Sequence, residues 1–75
     1  MDIFYTNETL YVDIKKQVTK SFVNEMKRNV FKIILEYEIN NVEIFSKANS
    51  LKTLDNLKQF ETEYYENCKG GLKII

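Results

Sequence analysis

Hydrophobic and polar residues alternate along this chain with two different periods. Residues 10–14 alternate with a period of two, so their apolar side chains lie on one side of an extended segment, which predicts a strand with one buried face. The apolar residues 3–5 precede it across a polar turn and predict an antiparallel hairpin. Residues 42–45 and 72–75 predict two more short strands.

Two other segments repeat their apolar residues every three or four positions, which is the period of a helix with one buried stripe. The first predicted stripe consists of Phe22, Val23, Met26, Val30, Ile33, Ile34 and Tyr37. The second consists of Leu51, Leu54, Leu57, Phe60, Tyr64 and Cys68. Thr19 or Ser21 is expected to cap the first helix, and Asn49 or Ser50 the second.

Residues that favour turns and helix ends separate these elements along the chain. The only glycines are Gly70 and Gly71, and there is no proline. The glycine pair predicts a left-handed helix stop, and Asn40-Asn41 is expected to supply a similar break after the first helix. The order predicts an α/β fold of the type β-β-α-β-α-β. Right-handed crossovers would make its second, third and fourth strands parallel. We expect a mixed four-stranded sheet with both helices on one face.

Composition limits the possible functions. The 75 residues predict a single domain over residues 1–75, and 11 basic against 11 acidic residues leave no net charge to attract nucleic acid. Histidine is absent and Cys68 is the only cysteine, which excludes histidine-based catalytic sites and cysteine zinc sites. We therefore expect no enzyme activity, no cofactor and no metal. No apolar run is long enough to span a membrane, and a cytoplasmic location is expected.

These local signals together resemble the STAS domain, a family of bacterial anti-sigma factor antagonists and sulfate-transporter tails. The family's opening strand resembles ETLYVDI, residues 8–14, and its first helix, break and central strand resemble residues 22–45. The spacing from Val42 to GGLKII, residues 70–75, is similar to the family's second helix and next strand. STAS domains continue beyond this strand, so the chain is expected to be a minimal or truncated version.

The resemblance implies a regulatory site at the start of the second helix. A serine phosphorylated by a partner kinase opens that helix in the family, and Thr53 falls at its position in this chain. Lys52, Leu54 and Asp55 replace the residues that normally surround it, so the motif is degenerate. A helix N-terminus also favours phosphate on physical grounds, which makes Ser50 a second candidate phosphoacceptor. Ser50 and Thr53 could equally be ordinary capping and first-turn residues.

Two functions follow from these observations. The first is a non-catalytic regulatory module that binds a protein, such as an anti-sigma factor or a kinase-like regulator. The residues expected to bind that partner are Ser46, Lys47, Asn49, Lys52 and Asp55. The alternative is a small structural or assembly protein that self-associates through an open terminal strand at residues 72–75, because exposed strand edges are templates for pairing. A homodimer is expected in that case.

Overall fold

The computed structural model describes residues 1–47 and 50–75. The predicted docking residue Asn49 lies outside them. The described elements, in chain order, are β1 (Asp2–Thr6), β2 (Thr9–Ile14), α1 (Lys20–Met26), a π-helical turn (Lys27–Phe31), α2 (Lys32–Tyr37), β3 (Asn41–Ser46), α3 (Leu51–Asn67) and β4 (Gly71–Ile74). Since α1, the π-helical turn and α2 follow one another without a break, they form the first of the two predicted helices.

The four strands form one sheet in the order β1-β2-β3-β4. β1 pairs antiparallel with β2, whereas β2–β3 and β3–β4 pair in parallel. Leu10 lies beside Val42, which in turn lies beside Leu72. This register brings the apolar residues of three strands onto one face, and it confirms the predicted mixed α/β sheet.

The β1–β2 hairpin turns through two residues with left-handed backbones, Asn7 (φ 51°) and Glu8 (φ 62°). Positive φ at both central residues is typical of a type I′ turn, one of the two tight turns that match the twist of the flanking strands. Asparagine tolerates this region well, whereas glutamate does not. The turn therefore strains Glu8 to hold β1 beside β2.

The first helix is capped as predicted by Thr19, whose hydroxyl accepts a hydrogen bond from the Phe22 N–H at 3.1 Å. The π-helical turn then shifts the buried face. Phe31, which the predicted stripe omitted, packs on Phe60 with ring centroids 5.1 Å apart. Tyr37, which the stripe included, is 69% exposed, so that part of the prediction was wrong.

The residues that end the two helices differ from those predicted to supply left-handed stops, although the first helix does end at the last residue of its predicted stripe, Tyr37. Glu38 follows it and adopts the left-handed conformation with φ 53°. The second helix, α3, ends at Asn67 with Cys68 extended. Gly70 has φ +100°, and a Cβ there would lie 2.1 Å from the carbonyl oxygen of Asn40. Gly70 therefore allows β4 to start against the chain that enters β3.

One hydrophobic core fills the space between the sheet and the helices. Its fully buried residues from the helices are Val23, Met26, Val30, Leu57, Phe60 and Tyr64. The inward residues of β2 and β3 join the same cluster, so both helices cover one face of the sheet, as predicted. The other face carries stacked rings, with the centroids of Phe4 and Tyr11 5.3 Å apart.

The predicted stripe of α3 is correct from Leu57 to Tyr64 and wrong in the first turn, and its last member, Cys68, is half-buried in extended chain beyond the helix. Leu51 is 80% exposed and Leu54 38% exposed, while Thr53 is completely buried. Counting back from Leu57 by one helical repeat reaches Thr53, and Leu51 lies about 200° around the helix from Thr53. The helix therefore cannot bury Thr53 and Leu51 together, and it buries the threonine.

Candidate functional site: the first turn of α3

The first turn of α3 lies where the parallel strands β2 and β3 end. The loop after β2 and the start of α3 face each other across an open groove of about 740 Å³. Ligand and partner sites of open α/β sheets commonly form at the carboxyl ends of the strands, because the connecting loops gather there. The residues that line the groove are Gln17, Val18, Thr19, Lys20, Ser50, Lys52, Thr53, Asp55 and Asn56.

Gln17 ties the two sides of this groove together. Its side-chain oxygen accepts a hydrogen bond from the Ser50 hydroxyl at 2.6 Å and another from the Thr53 hydroxyl at 2.5 Å. Gln17 lies more than thirty residues before both of its partners in the chain. We call this arrangement of Gln17, Ser50 and Thr53 the clasp.

Backbone contacts of Val18 reinforce the clasp. The Val18 N–H donates to the Thr53 hydroxyl oxygen at 3.1 Å, and the Asn56 side-chain amide donates to the Val18 carbonyl at 2.8 Å. The backbone N–H and carbonyl of the buried Val18 are thereby both hydrogen-bonded. An unpaired group there would cost about 1–3 kcal/mol. Thr53 is buried because the loop supplies it with both a donor and an acceptor.

Ser50 serves as the N-cap of α3, as predicted. Its hydroxyl oxygen accepts a hydrogen bond from the Thr53 N–H at 3.2 Å, and the same hydroxyl donates to the side-chain oxygen of Gln17. A capping interaction of this kind stabilises a helix by about 1 kcal/mol. The start of α3 is therefore fixed both by its own cap and by the clasp.

The structure brings together only some of the predicted site residues. Ser50, Lys52, Thr53 and Asp55 all line the groove. Lys47 and Ser46 instead line a separate depression beside Phe45 and Ile75, on the open side of the sheet. Of the two candidate phosphoacceptors, Thr53 has no exposed surface and Ser50 is exposed.

The sequence interpretation missed three residues of this site. Leu51 and Leu54 were assigned to the core, although the position of Thr53 one repeat before Leu57 was a signal that the buried face lay elsewhere. Gln17 was not singled out from the sequence. Nothing local could have identified Gln17, because its partners lie far along the chain and its role depends on the tertiary fold.

The opposite end of α3 has a different chemistry. Burial raises the pKa of the Cys68 thiol, which favours its protonated form at neutral pH. Burial, and next the proximity of Cys68 and Tyr65, raises the pKa of the Tyr64 hydroxyl. The Tyr64 hydroxyl donates to the Lys69 carbonyl at 3.1 Å. The Tyr64 contact ties the end of α3 to the segment that leads into β4.

Residues 1–47 and 50–75 contain neither a metal-ion cluster nor a membrane-spanning helix. Across these residues, no three or more acidic, cysteine or histidine side chains cluster closely enough to hold a metal ion. None of the helices described there combines the length and apolar character needed to cross a bilayer.

Comparison of the chain with protein-family models, with curated proteins and with solved structures finds no match in any of the three. The resemblance to the STAS domain therefore stays a prediction. Function has to be inferred from the geometry of the site.

Proposed function

We propose that this chain is a non-catalytic regulatory module that binds a protein partner through the first turn of α3. The surface consists of the exposed residues Ser50, Leu51, Lys52, Leu54 and Asp55, which we call the docking turn. This proposal keeps the groove side of the predicted site. It adds two leucines that the sequence interpretation had placed in the core.

The observation that carries the proposal is the inverted polarity of this turn. A helix that packs on a sheet normally buries its apolar residues and exposes its polar ones. Here Thr53 is completely buried, whereas Leu51, on the opposite side of the same turn, is 80% exposed. Scattered exposed leucines are common, but two in one turn beside an open groove form a small apolar patch of the kind that marks an interface.

The clasp makes this patch suitable for recognition. A surface that is already held in its bound shape loses less conformational entropy when the partner arrives. Gln17 and the Ser50 cap hold the first turn in place before binding. The leucines are thus presented on a fixed support.

Charges around the patch define the partner further. Lys52 and Asp55 are exposed on the same turn and have opposite signs, so the rim attracts neither a strongly acidic nor a strongly basic surface. We expect the partner to offer an apolar pocket for Leu51 and Leu54 with mixed charges at its rim. Such a surface is typical of proteins rather than of nucleic acid.

The resemblance to the STAS domain supports a particular kind of regulator and partner. It supports a cytoplasmic bacterial regulator whose partner is an anti-sigma factor or a kinase-like protein. Phosphate on Thr53 would require the clasp to open, since the hydroxyl is buried and bonded to Gln17 and Val18. Phosphate on Ser50 would replace the hydrogen bond to Gln17 and add negative charge beside the groove. Ser50 is therefore the more accessible of the two candidate positions.

Affinity capture from extracts of the source organism, followed by mass spectrometry, tests the docking turn. We expect the wild-type chain to retain a regulator of this class, Leu51→Asp to lose it, and Leu35→Asp to retain it. Leu35 is the matched control because it is also an exposed helical leucine, at 60%, but lies on α2. Equal capture by both variants, or the absence of any protein that depends on Leu51, would contradict the proposal.

A further inference from the structure

The hydroxyl of Tyr65 forms hydrogen bonds with backbone groups at the outer edge of the sheet. Tyr65 donates to the Leu72 carbonyl at 3.3 Å, and the Leu72 N–H donates to the same hydroxyl oxygen at 3.1 Å. One side chain therefore satisfies both hydrogen-bonding groups of a residue in β4. This contact lies at the opposite end of α3 from the docking turn and does not depend on the proposed function.

The register of β4 shows why this contact lies on the outer edge. The N–H groups of Gly71 and Ile75 donate to Asn40 and Ile44, which places them on the β3 side. Backbone groups of a strand alternate in direction with a period of two, so those of Leu72 and Ile74 point away from β3. A further strand adding to this edge would need the backbone groups of Leu72 and Ile74.

We propose that Tyr65 closes the β4 edge against pairing with β4 of a second copy of this chain. An antiparallel pairing about a two-fold axis at Lys73 would set Leu72 opposite Ile74 of the second copy, and the reverse. Every outward group of both strands would then be paired. With Tyr65 in place, the Leu72 groups are already used, and this register loses its hydrogen bonds on both sides of the axis.

A second copy is the occupant that the edge itself favours. A strand edge is always complementary to its own copy about a two-fold axis, and the chain has no net charge to keep copies apart. Lys73 is a smaller obstacle, because it would face Lys73 of the second copy directly, and like charges opposite each other cost less than about 1 kcal/mol. Tyr65 thus contributes most to preventing strand pairing at this edge, and Lys73 contributes less.

The experiment compares three variants by sedimentation velocity over a range of concentrations. Lys73→Thr removes the charge repulsion and keeps Tyr65, and we expect it to stay monomeric. Tyr65→Phe combined with Lys73→Thr opens the edge, and we expect a concentration-dependent dimer at least about ten-fold tighter, equivalent to roughly 1.4 kcal/mol. Adding Ile74→Pro removes an outward N–H and should restore the monomer, since proline is tolerated on a free strand edge.

Two results would overturn the proposal. One is a folded Tyr65→Phe, Lys73→Thr variant that remains monomeric at its highest soluble concentration. The other is a dimer that persists after Ile74→Pro, because pairing would then not involve the β4 edge.

Hydrogen exchange of the wild-type chain tests the contact without any variant. The Leu72 amide, bonded to Tyr65, should exchange about five- to ten-fold more slowly than the outward Ile74 amide, the factor expected for one net hydrogen bond. Equal exchange of the two amides would show that the hydroxyl does not hold the edge.

Discussion

The two ends of α3 follow opposite rules, although they belong to one helix of 17 residues. From Leu57 to Tyr64 the helix buries its large apolar residues completely against the sheet. In its first turn it buries Thr53 and exposes Leu51. The C-terminal part is therefore built for stability. The first turn gives up apolar burial for a surface that faces outward.

Polar contacts make this difference possible. The first turn is held by the clasp, in which Gln17 accepts from both Ser50 and Thr53. Hydrogen bonds can fix a position without occupying the exposed face of the helix, whereas apolar packing would require Leu51 or Leu54 to turn inward. The two ends thus separate the tasks of folding and recognition along one element.

The largest expected effect comes from replacing one leucine in each part of α3 with alanine. Leu57→Ala should lower the free energy of unfolding by about 2–5 kcal/mol, because it leaves a cavity in a fully buried site. Leu54→Ala should change it by less than about 1 kcal/mol, since that side chain is partly exposed. Urea denaturation measures both. Similar losses for the two variants would remove the distinction between the ends of the helix.

The connection from α3 into β4 gives the next effect. Gly70→Ala should destabilise the fold by at least about 2 kcal/mol, because alanine is strained at φ +100° and its Cβ would collide with the Asn40 carbonyl. Gly71→Ala is the control and should be close to neutral, because no atom lies within 4 Å of its added Cβ. Chemical denaturation measures both variants. Equal denaturation midpoints for Gly70→Ala and Gly71→Ala would show that the fold does not require glycine at position 70.

Removing the clasp should have a smaller effect. Thr53→Val keeps the shape of the side chain but leaves the Val18 N–H without its acceptor, at a cost of about 1–3 kcal/mol. Thr62→Val is the control, since the Thr62 hydroxyl donates to the Lys58 carbonyl on the exposed side of the same helix. Thermal unfolding of the two variants compares them, and a Thr53→Val protein more stable than wild type would show that the threonine is not needed there.

Alkaline pH should act on the C-terminal end of α3. The pKa values of Tyr64 and Cys68 are raised in the folded state, so the folded chain holds these protons more tightly than the unfolded chain does. Their contribution is fully present below the unfolded pKa values of 9.0 and 10.0 and is lost as the pH rises through and above them. Unfolding free energies measured from pH 7 upward should fall in this range. Cys68→Ala should remove the earlier part of the fall, and an unchanged profile would contradict the assignment.

The sequence was sufficient for the parts of the fold that depend on local periodicity. Alternation at residues 10–14 identified the central strand, and the apolar repeat from Leu57 to Tyr64 identified the buried face of α3. The order of elements with right-handed crossovers was enough to place the strands. These features could be predicted because each depends on residues close together in the chain.

The parts that could not be predicted depend on distant contacts or on backbone geometry. The π-helical turn at Lys27–Phe31 places Phe31 against Phe60, and an apolar repeat alone does not reveal such a turn. Tyr37 is exposed in the last turn of α2, immediately before the left-handed Glu38. Gln17 became important only once β2 and α3 brought it to Thr53. Gly70 was read as a helix stop, because the nearby Asn40 carbonyl could not be seen in the sequence.

The most direct test of the docking turn is photo-crosslinking with a benzophenone amino acid placed at residue 51 or residue 35. We expect position 51 to give one dominant adduct with a partner protein in cells. Position 35, equally helical and also exposed, should not give it. Combining position 51 with Gln17→Ala should weaken the adduct, because the clasp no longer holds the turn. An adduct of equal strength at both positions, or none at residue 51, would contradict the account.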